Sequence, residues 1–375
     1  MRIGMSLHPK DENLSGVEYY ALGLVRALAD WAQDNEYVVY TGRPDIVQQH
    51  VGGLARVSIR PIRCCRNRVG RVLWEQMQLP GMAERDVLDL IHCPCRPCPI
   101  RHSRARYVVT VHDTFALDHP EWCRTENVCH YRLIMKQALA RASAVIAVSK
   151  HTADSLARHM PGQRKKIHVV WPGLDPDFHC RRTAGDLEAT RARYRLPEKY
   201  VLYVGNIEPR KNLPALILAH DRLVRLGCPH PLVIVGKRSW KARNVLRQLA
   251  SPNIANRTVL PGYVRREDLP GVYQMAELYV CASWAEGFGF PPLEAMASGI
   301  PVLSSKRGAL AEVLADAAYT LDPADPAQVA EAMRRMLTEA DLRKEYIERG
   351  LARSRLFNWQ ETARQVNDVH ARCVA

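Results

Sequence analysis

Two glutamates, Glu286 and Glu294, stand eight positions apart in the stretch "WAEGFGFPPLEAMASGIPVL", residues 284–303. Between them lie a glycine–aromatic–glycine turn (Gly287, Phe288, Gly289), a proline pair and the first residues of an expected helix. The glycines free the backbone, and Pro291–Pro292 pre-set the first helical turn, where a missing N–H costs nothing. Gly299 then ends the short helix "PLEAMASG". Such a helix start attracts phosphate, whereas a carboxylate repels it and instead accepts hydrogen bonds from vicinal hydroxyls. The two glutamates therefore predict a ligand with phosphate in the middle and a polyol at each end. A nucleotide sugar is such a molecule.

Two further loops suit an anion. In "VGNIEPRKNLPALILAH", residues 204–220, a strand ends at Val204, Gly205 turns the chain, and Arg210 and Lys211 precede a helix. Paired cations there can hold a diphosphate, arginine as a planar fork and lysine as a point charge, although most surface cations simply face solvent. In "ENLSGVEYYALGLVRALADW", residues 12–31, Val17, Ala21, Leu24, Leu28 and Trp31 recur at helical spacing. Ser15 and Glu18 form a capping box, so the helix should begin at about Gly16, where a glycine lets a ligand approach backbone amides. Many buried helices begin this way, so this loop alone is a weak signal.

These loops need a scaffold. Short runs rich in Val, Ile and Tyr alternate with amphipathic stretches, the signature of βαβ units and a mainly parallel sheet. The first half offers strands at 2–6, 37–40, 57–59, 107–111, 144–148 and 168–171. The second offers 201–204, 232–235, 258–260, 278–281, 301–303 and 318–321. Between the sets, 172–200 contains "PGLDPDF" and reads as a linker. The expected class is α/β, with two doubly wound domains: residues 1–180, to which a helix at about 358–375 returns, and residues 181–357. Ligands of such sheets bind beyond the carboxyl ends of the strands, so the cleft between two facing sheets is the expected site.

Composition narrows the classes. A chain of 375 residues with 47% hydrophobic and 25% charged residues is globular and long enough for two domains. It has no run of apolar residues long enough to span a bilayer, and "MRIGMSLHP" reads as a first strand, not a secretion signal. Eleven cysteines is an odd count that fits a reducing cytosol better than a disulfide framework. The cluster Cys93, Cys95, Cys98 lacks a second Cys/His pair at zinc-ribbon distance, so no metal site is expected. The net charge is +14, and residues 55–71 carry Arg56, Arg60, Arg63, Arg66, Arg68 and Arg71 with no acid. Such a patch suits anionic lipid head groups or nucleic acid, or is a solvated loop.

With these residues in view, the chain resembles the family-four retaining glycosyltransferases through their Glu-x7-Glu motif, and with them the GT-B fold of two Rossmann-like domains. The likeness also runs through "LSGVEYY", "TVHD", "AVIAVSKHTADSL", "VGNIEPRKN", "GYVRREDLPGVYQMAELYVC" and the late "FNW". It implies that Glu294 binds the nucleotide ribose and Glu286 the donor sugar, with backbone around Gly287, Phe288 and Gly289 steadying sugar and phosphate. Arg210 and Lys211 would neutralise the diphosphate, the backbone near Val264 would meet the base, and Gly16 would approach the diphosphate from the other domain. His112 would line the reaction centre. Some members place an arginine directly after the glycine equivalent to Gly205; here Asn206 fills that place in the donor site.

The resemblance implies a retaining, metal-independent hexosyltransferase with no cofactor and no nucleic-acid partner. It is most similar to bacterial mannosyl- and rhamnosyltransferases of O-antigen or exopolysaccharide assembly, which favours GDP-mannose over UDP-sugars and a saccharide or lipid-linked acceptor. The expected location is the cytoplasm, with peripheral attachment to an anionic membrane through the arginine segment. A Rossmann oxidoreductase is disfavoured because no G-x-G-x-x-G follows a strand. A non-catalytic nucleic-acid-binding protein would have no use for the two glutamates. A closer alternative is another GT-B enzyme: a UDP-sugar-dependent transferase, a sugar-nucleotide epimerase or a phosphorylase.

Overall fold

The structure, a computed structural model, describes residues 1–63, 68–95, 97–239 and 241–375, with positions 68 and 69 described for the backbone alone. The chain divides into two compact units, Met1–Gly173 with Phe357–Ala375, and Leu174–Leu356.

The first unit holds a sheet of seven strands among the described residues: β1 (Arg2–Ser6), β2 (Glu36–Thr41), β3 (Val57–Pro61), β4 (Leu90–Cys93), β5 (Arg106–Val111), β6 (Ala144–Ala147) and β7 (Ile167–Val169). They lie in the order β3-β2-β1-β4-β5-β6-β7, every pair parallel. The second unit repeats the pattern with β8 (Val201–Val204), β9 (Leu232–Val235), β10 (Thr258–Gly262), β11 (Leu278–Cys281), β12 (Val302–Ser305) and β13 (Tyr319–Leu321). Their order is β10-β9-β8-β11-β12-β13, again parallel throughout. Each sheet reverses its winding once, between β1 and β4 and between β8 and β11. The crevice at the carboxyl ends of those strands is where such sheets accept ligands.

Strand β4 is absent from the expected strands, and the reason is physical. "LIHC" is only four residues long, carries a histidine and runs straight into a proline, so no alternation marks it. Its place between β1 and β5 buries it on both sides, His92 included. His92 Nε2 meets Thr110 Oγ1 at 2.8 Å and its Nδ1 meets His370 Nε2 at 3.1 Å. Thr110 also lies 3.4 Å from the hydroxyl of Tyr20. A buried polar chain thus ties the helix Gly16–Trp31, two central strands and the C-terminal helix Trp359–Val374 together. The C-terminal helix seats Trp359 so closely that a Cβ on Gly23 or Gly173 would fall within 2.6 Å of its atoms.

Local chemistry sets the element ends. Ser15 and Glu18 form the expected capping box at the start of Gly16–Trp31. In the second unit an apolar core of Leu216, Leu223, Ile234, Val280, Leu303 and Met333, all nearly inaccessible to solvent, fixes the sheet on the helices that flank it. The loops at the carboxyl ends of β8 and β11 then emerge from a rigid base.

Candidate functional site

The loop after β11 carries Glu286, which is 6% exposed. Arg210 and Lys211 come from the short 3-10 turn Pro209–Lys211 after β8, the strand next to β11. Arg210 Nη1 donates to Glu286 Oε2 at 2.5 Å and Lys211 Nζ to Oε1 at 2.6 Å. Ser283 Oγ adds a bond to Oε1 at 2.7 Å. The two loops are also joined through backbone, Trp284 N donating to Arg210 O at 2.8 Å. Burial alone would raise the Glu286 pKa, but Arg210 foremost, with Lys211 and Ser283, overrides it and holds the carboxyl at about 2. Glu286 is ionised at any working pH.

The cations are thus positioned by carboxylates. Arg210 also pairs with Glu208 at 2.7 Å. Arg210 Nη1 also donates to the carbonyl of Ala285 at 3.3 Å. A lysine has three donors, so Lys211 retains N–H capacity beyond its pair for an incoming anion. Asn206, at the exposed tip of the same loop, accepts from Lys237 N at 3.4 Å.

Past Glu286 the chain turns through Gly287, Phe288 and Gly289, all buried. Gly289 has φ +106 and caps the helix Phe290–Ala297; a Cβ there would lie 2.8 Å from Leu310 Cδ2. Phe288 packs edge-on to Phe290 at 5.0 Å, which fixes the turn. Pro291 and Pro292 fall in the first helical turn and Gly299, with φ +77, follows the last, as the residue types require. Gly289 supplies no capping side chain, so the first N–H groups of this helix have no side-chain acceptor on it.

Glu294, on that helix, is 3% exposed. Arg266 Nη1 donates to its Oε1 at 2.5 Å and the Tyr273 hydroxyl to its Oε2 at 2.9 Å. Arg266 comes from the segment after β10, two residues past the buried Val264. Burial opposes the charge on Arg266, yet Glu294 and then Asp175 raise its pKa further.

Gly16 and His112 belong to the first unit. Gly16 is exposed, and a Cβ on it would meet nothing within 4 Å. Its helix, which follows β1, and His112, which follows β5, sit at the carboxyl edge of the first sheet. His112 Nε2 bonds the carbonyl of Pro94 at 2.7 Å. A carbonyl only accepts, so Nε2 carries the proton in the neutral ring and Nδ1 is the acceptor. Tyr20 packs edge-on against the ring at 4.8 Å. Burial lowers its pKa to about 4 despite the bond to Pro94, so the ring is neutral near pH 7.

The structure therefore brings together Arg210, Lys211 and Glu286, and places Glu294 on the helix that follows the glycine turn. Sequence reasoning did not single out Ser283, Tyr273 or Arg266. Each reaches its glutamate in space, and for Tyr273 and Arg266 the sequence separations of 21 and 28 leave no local signal. Among the described residues no group of three or more His, Cys, Asp or Glu side chains is arranged to hold a metal ion.

Residues 14–178 match the family model described as Glycosyltransferase Family 4, and residues 188–353 the model described as Glycosyl transferases group 1. The chain is 30% identical to O-antigen chain mannosyltransferase B of Escherichia coli, over 99% of either sequence. Its fold is similar to that of HepE of Anabaena solved with UDP-glucose, with a TM-score of 0.77 at 18% identity over 99% of this chain and 100% of the other. It is also similar to WaaG, a glycosyltransferase involved in lipopolysaccharide biosynthesis, with a TM-score of 0.75 at 16% identity over 98% and 99%. Two parallel-sheet α/β units of this winding are the GT-B architecture, and the chain belongs to the family-4, group 1 glycosyltransferases.

Proposed function

We propose that the chain transfers a hexose from a nucleotide sugar to a hydroxyl of a saccharide or lipid-linked acceptor, with retention at the anomeric carbon and without a metal ion. Mannose from GDP-mannose is the first choice of donor. The reading is supported by the full-length similarity to an O-antigen mannosyltransferase. The observation that carries it is the buried ionised Glu286 gripped by Arg210 and Lys211 at the switch point of the second sheet.

In this reading Glu294 accepts from the ribose hydroxyls and Glu286 from hydroxyls of the donor sugar. Backbone of Gly287, Phe288 and Gly289 steadies sugar and phosphate, Val264 meets the base, and Asn206 and Gly16 complete the donor site. As the bond from the anomeric carbon to the diphosphate breaks, negative charge grows on the leaving oxygen. Arg210, Lys211 and the helix start at Phe290 answer that charge; one preorganised donor of this kind is worth roughly 3–4 kcal/mol. The acceptor oxygen attacks the same face, and its proton passes to the departing phosphate oxygen. His112, neutral, lines the reaction centre as a hydrogen-bonding group. In this reading the reaction runs in the cytoplasm, and at the inner face of the membrane where the acceptor is lipid-linked.

A second reading, a UDP-sugar donor, is favoured by the likeness to HepE, which was solved with UDP-glucose. A thermal-shift comparison of GDP, UDP, ADP and dTDP decides between them, followed by transfer from the matching sugar nucleotide. Glu294→Gln should lower kcat/KM at least about tenfold, or ~1.4 kcal/mol, because a buried acceptor oxygen becomes a donor. Wild-type kcat/KM in that variant would remove Glu294 from the donor site.

A further inference from the structure

Glu294 is held from both sides before any ligand arrives. Its Oε1 takes the Arg266 guanidinium and its Oε2 the Tyr273 hydroxyl. These two donors are themselves locked on one ring. The Arg266 guanidinium lies 4.4 Å above the centre of Phe178, which is 1% exposed. Tyr273 packs edge-on to the same ring, 5.7 Å between centroids at 73°. Asp175 takes Arg266 Nε at 3.4 Å, so the guanidinium plane is fixed by a stack beneath and carboxylates on two edges.

A carboxylate offers about four lone-pair positions, and two are used here. The remaining two lie in the plane of the carboxyl group, one per oxygen, which is the geometry a vicinal diol needs for two parallel bonds. Whichever way that plane is turned decides whether both hydroxyls can reach it. Arg266 sets the plane.

We propose that Arg266 is a positioning residue for the donor's ribose, orienting Glu294 so that the 2′- and 3′-hydroxyls are read together. The proposal rests on Glu294 being the ribose ligand. Arg266 acts through Glu294 and makes the ribose contact selective for a diol; it is not a reacting group. Tyr273 shares the task from the other oxygen, and Phe178 is the platform for both.

The test measures dissociation constants of GDP and UDP, each with its 2′,3′-dideoxy counterpart, for the full chain and for Arg266→Gln and Arg266→Lys. The wild type should prefer the ribonucleotide about tenfold or more, the worth of one or two good hydrogen bonds. Arg266→Gln should cut that preference to under about threefold while weakening the dideoxynucleotide little. Arg266→Lys, which keeps the charge but lacks the planar fork, should fall between and carries the test should the glutamine variant not fold. A preference unchanged in both variants, with both nucleotides weakened alike, overturns the role of Arg266 and leaves the donor-site reading intact. A wild type that binds ribo and dideoxy forms equally overturns Glu294 as the ribose ligand instead.

Discussion

Lys211 Nζ and Glu286 Oε1 meet at 2.6 Å with side-chain exposures of only 9% and 8%. A pair that far from water is costly to break, since the survivor stays buried and charged. Arg210 would still face Glu286 after loss of the lysine, so the cost should be moderated. Lys211→Met should destabilise the chain by about 1–3 kcal/mol and lower kcat/KM by about 100-fold. Arg210→Met, whose side chain is 22% exposed, should cost less stability. Urea melts and transfer kinetics read both effects; a Lys211→Met enzyme with unaltered kcat/KM removes the lysine from the diphosphate site.

If side-chain cations and a helix start meet the charge of the leaving diphosphate, a divalent ion has nothing to add. Transfer should survive excess EDTA unchanged. Activity that disappears in chelator and returns with Mg²⁺ or Mn²⁺ would contradict the proposed role of Arg210 and Lys211.

Gly308 lies 22 residues beyond Glu286 yet supports it directly. Its φ is +64, and a Cβ there would stand 2.7 Å from Glu286 O and 2.9 Å from Glu286 N. The next residue, Ala309, donates its N–H to that same carbonyl at 3.0 Å. Gly308→Ala must therefore displace the Glu286 backbone and disturb its pairing with Arg210 and Lys211. Transfer should fall at least about tenfold with a stability loss of about 1–3 kcal/mol, backbone strain and displacement acting together. A variant that keeps full activity would mean that the position of Glu286 is not critical.

The sequence is legible where a few adjacent residues decide the outcome. The Ser15–Glu18 capping box, the proline pair before Glu294 and Gly299 after its helix all require only their neighbours. Parallel strands buried on both sides announce themselves as apolar runs, which is why the α/β class reads directly. β4 fails that rule, because a buried histidine within four residues makes sense only once Thr110 and His370 are beside it. The pairing of Glu286 with Arg210 and Lys211 is similarly hidden. Both loops mark themselves as anion-binding, but nothing local says that the cations reach a carboxylate 76 and 75 residues on. Arg266 and Gly308 carry no local mark at all.

The buried histidine chain sets the acid limit of stability. Burial holds His370 at about 3 and His92 well below the ordinary 6.5. Both are neutral in the folded protein, while unfolded histidines take up protons as pH falls below about 6.5, so stability is lost from there downward. At pH 5 His370 should cost about 2 kcal/mol relative to pH 7.5, and His92 adds a loss of the same sign. Glu286, held at about 2, begins to lose its contribution only below about 4.5. The first loss on acidification is thus a histidine effect. Unfolding free energies at pH 7.5 and 5.0 should show a smaller drop for His370→Gln than for the wild type, by about 2 kcal/mol. Equal drops would place the acid sensitivity elsewhere.

The last expectation concerns attachment to a membrane. Arg56, Arg60 and Arg63, on and around the edge strand β3, are exposed. Arg71 is buried and cannot join them, and Arg66 and the Arg68 side chain lie outside the described residues. The helix Arg68–Met77 that follows β3 turns Trp74 and Glu75 inward but leaves Leu73 and Met77, one turn apart, 57% and 59% exposed. Exposed cations and exposed apolar side chains are each what an anionic bilayer surface accepts. Each arginine near it contributes roughly 1 kcal/mol, and a buried Leu or Met side chain about 1.5–3 kcal/mol. The protein should co-sediment with anionic vesicles at low salt and not with neutral ones. Arg56, Arg60 and Arg63 changed together to Ser should weaken the salt-sensitive part of that binding, and Leu73 and Met77 changed to Ser the part that persists at high salt. Nucleotide affinity should be untouched by either set. Equal sedimentation with both vesicle types, or none with either, would sink the attachment and direct the search to an acceptor free in solution.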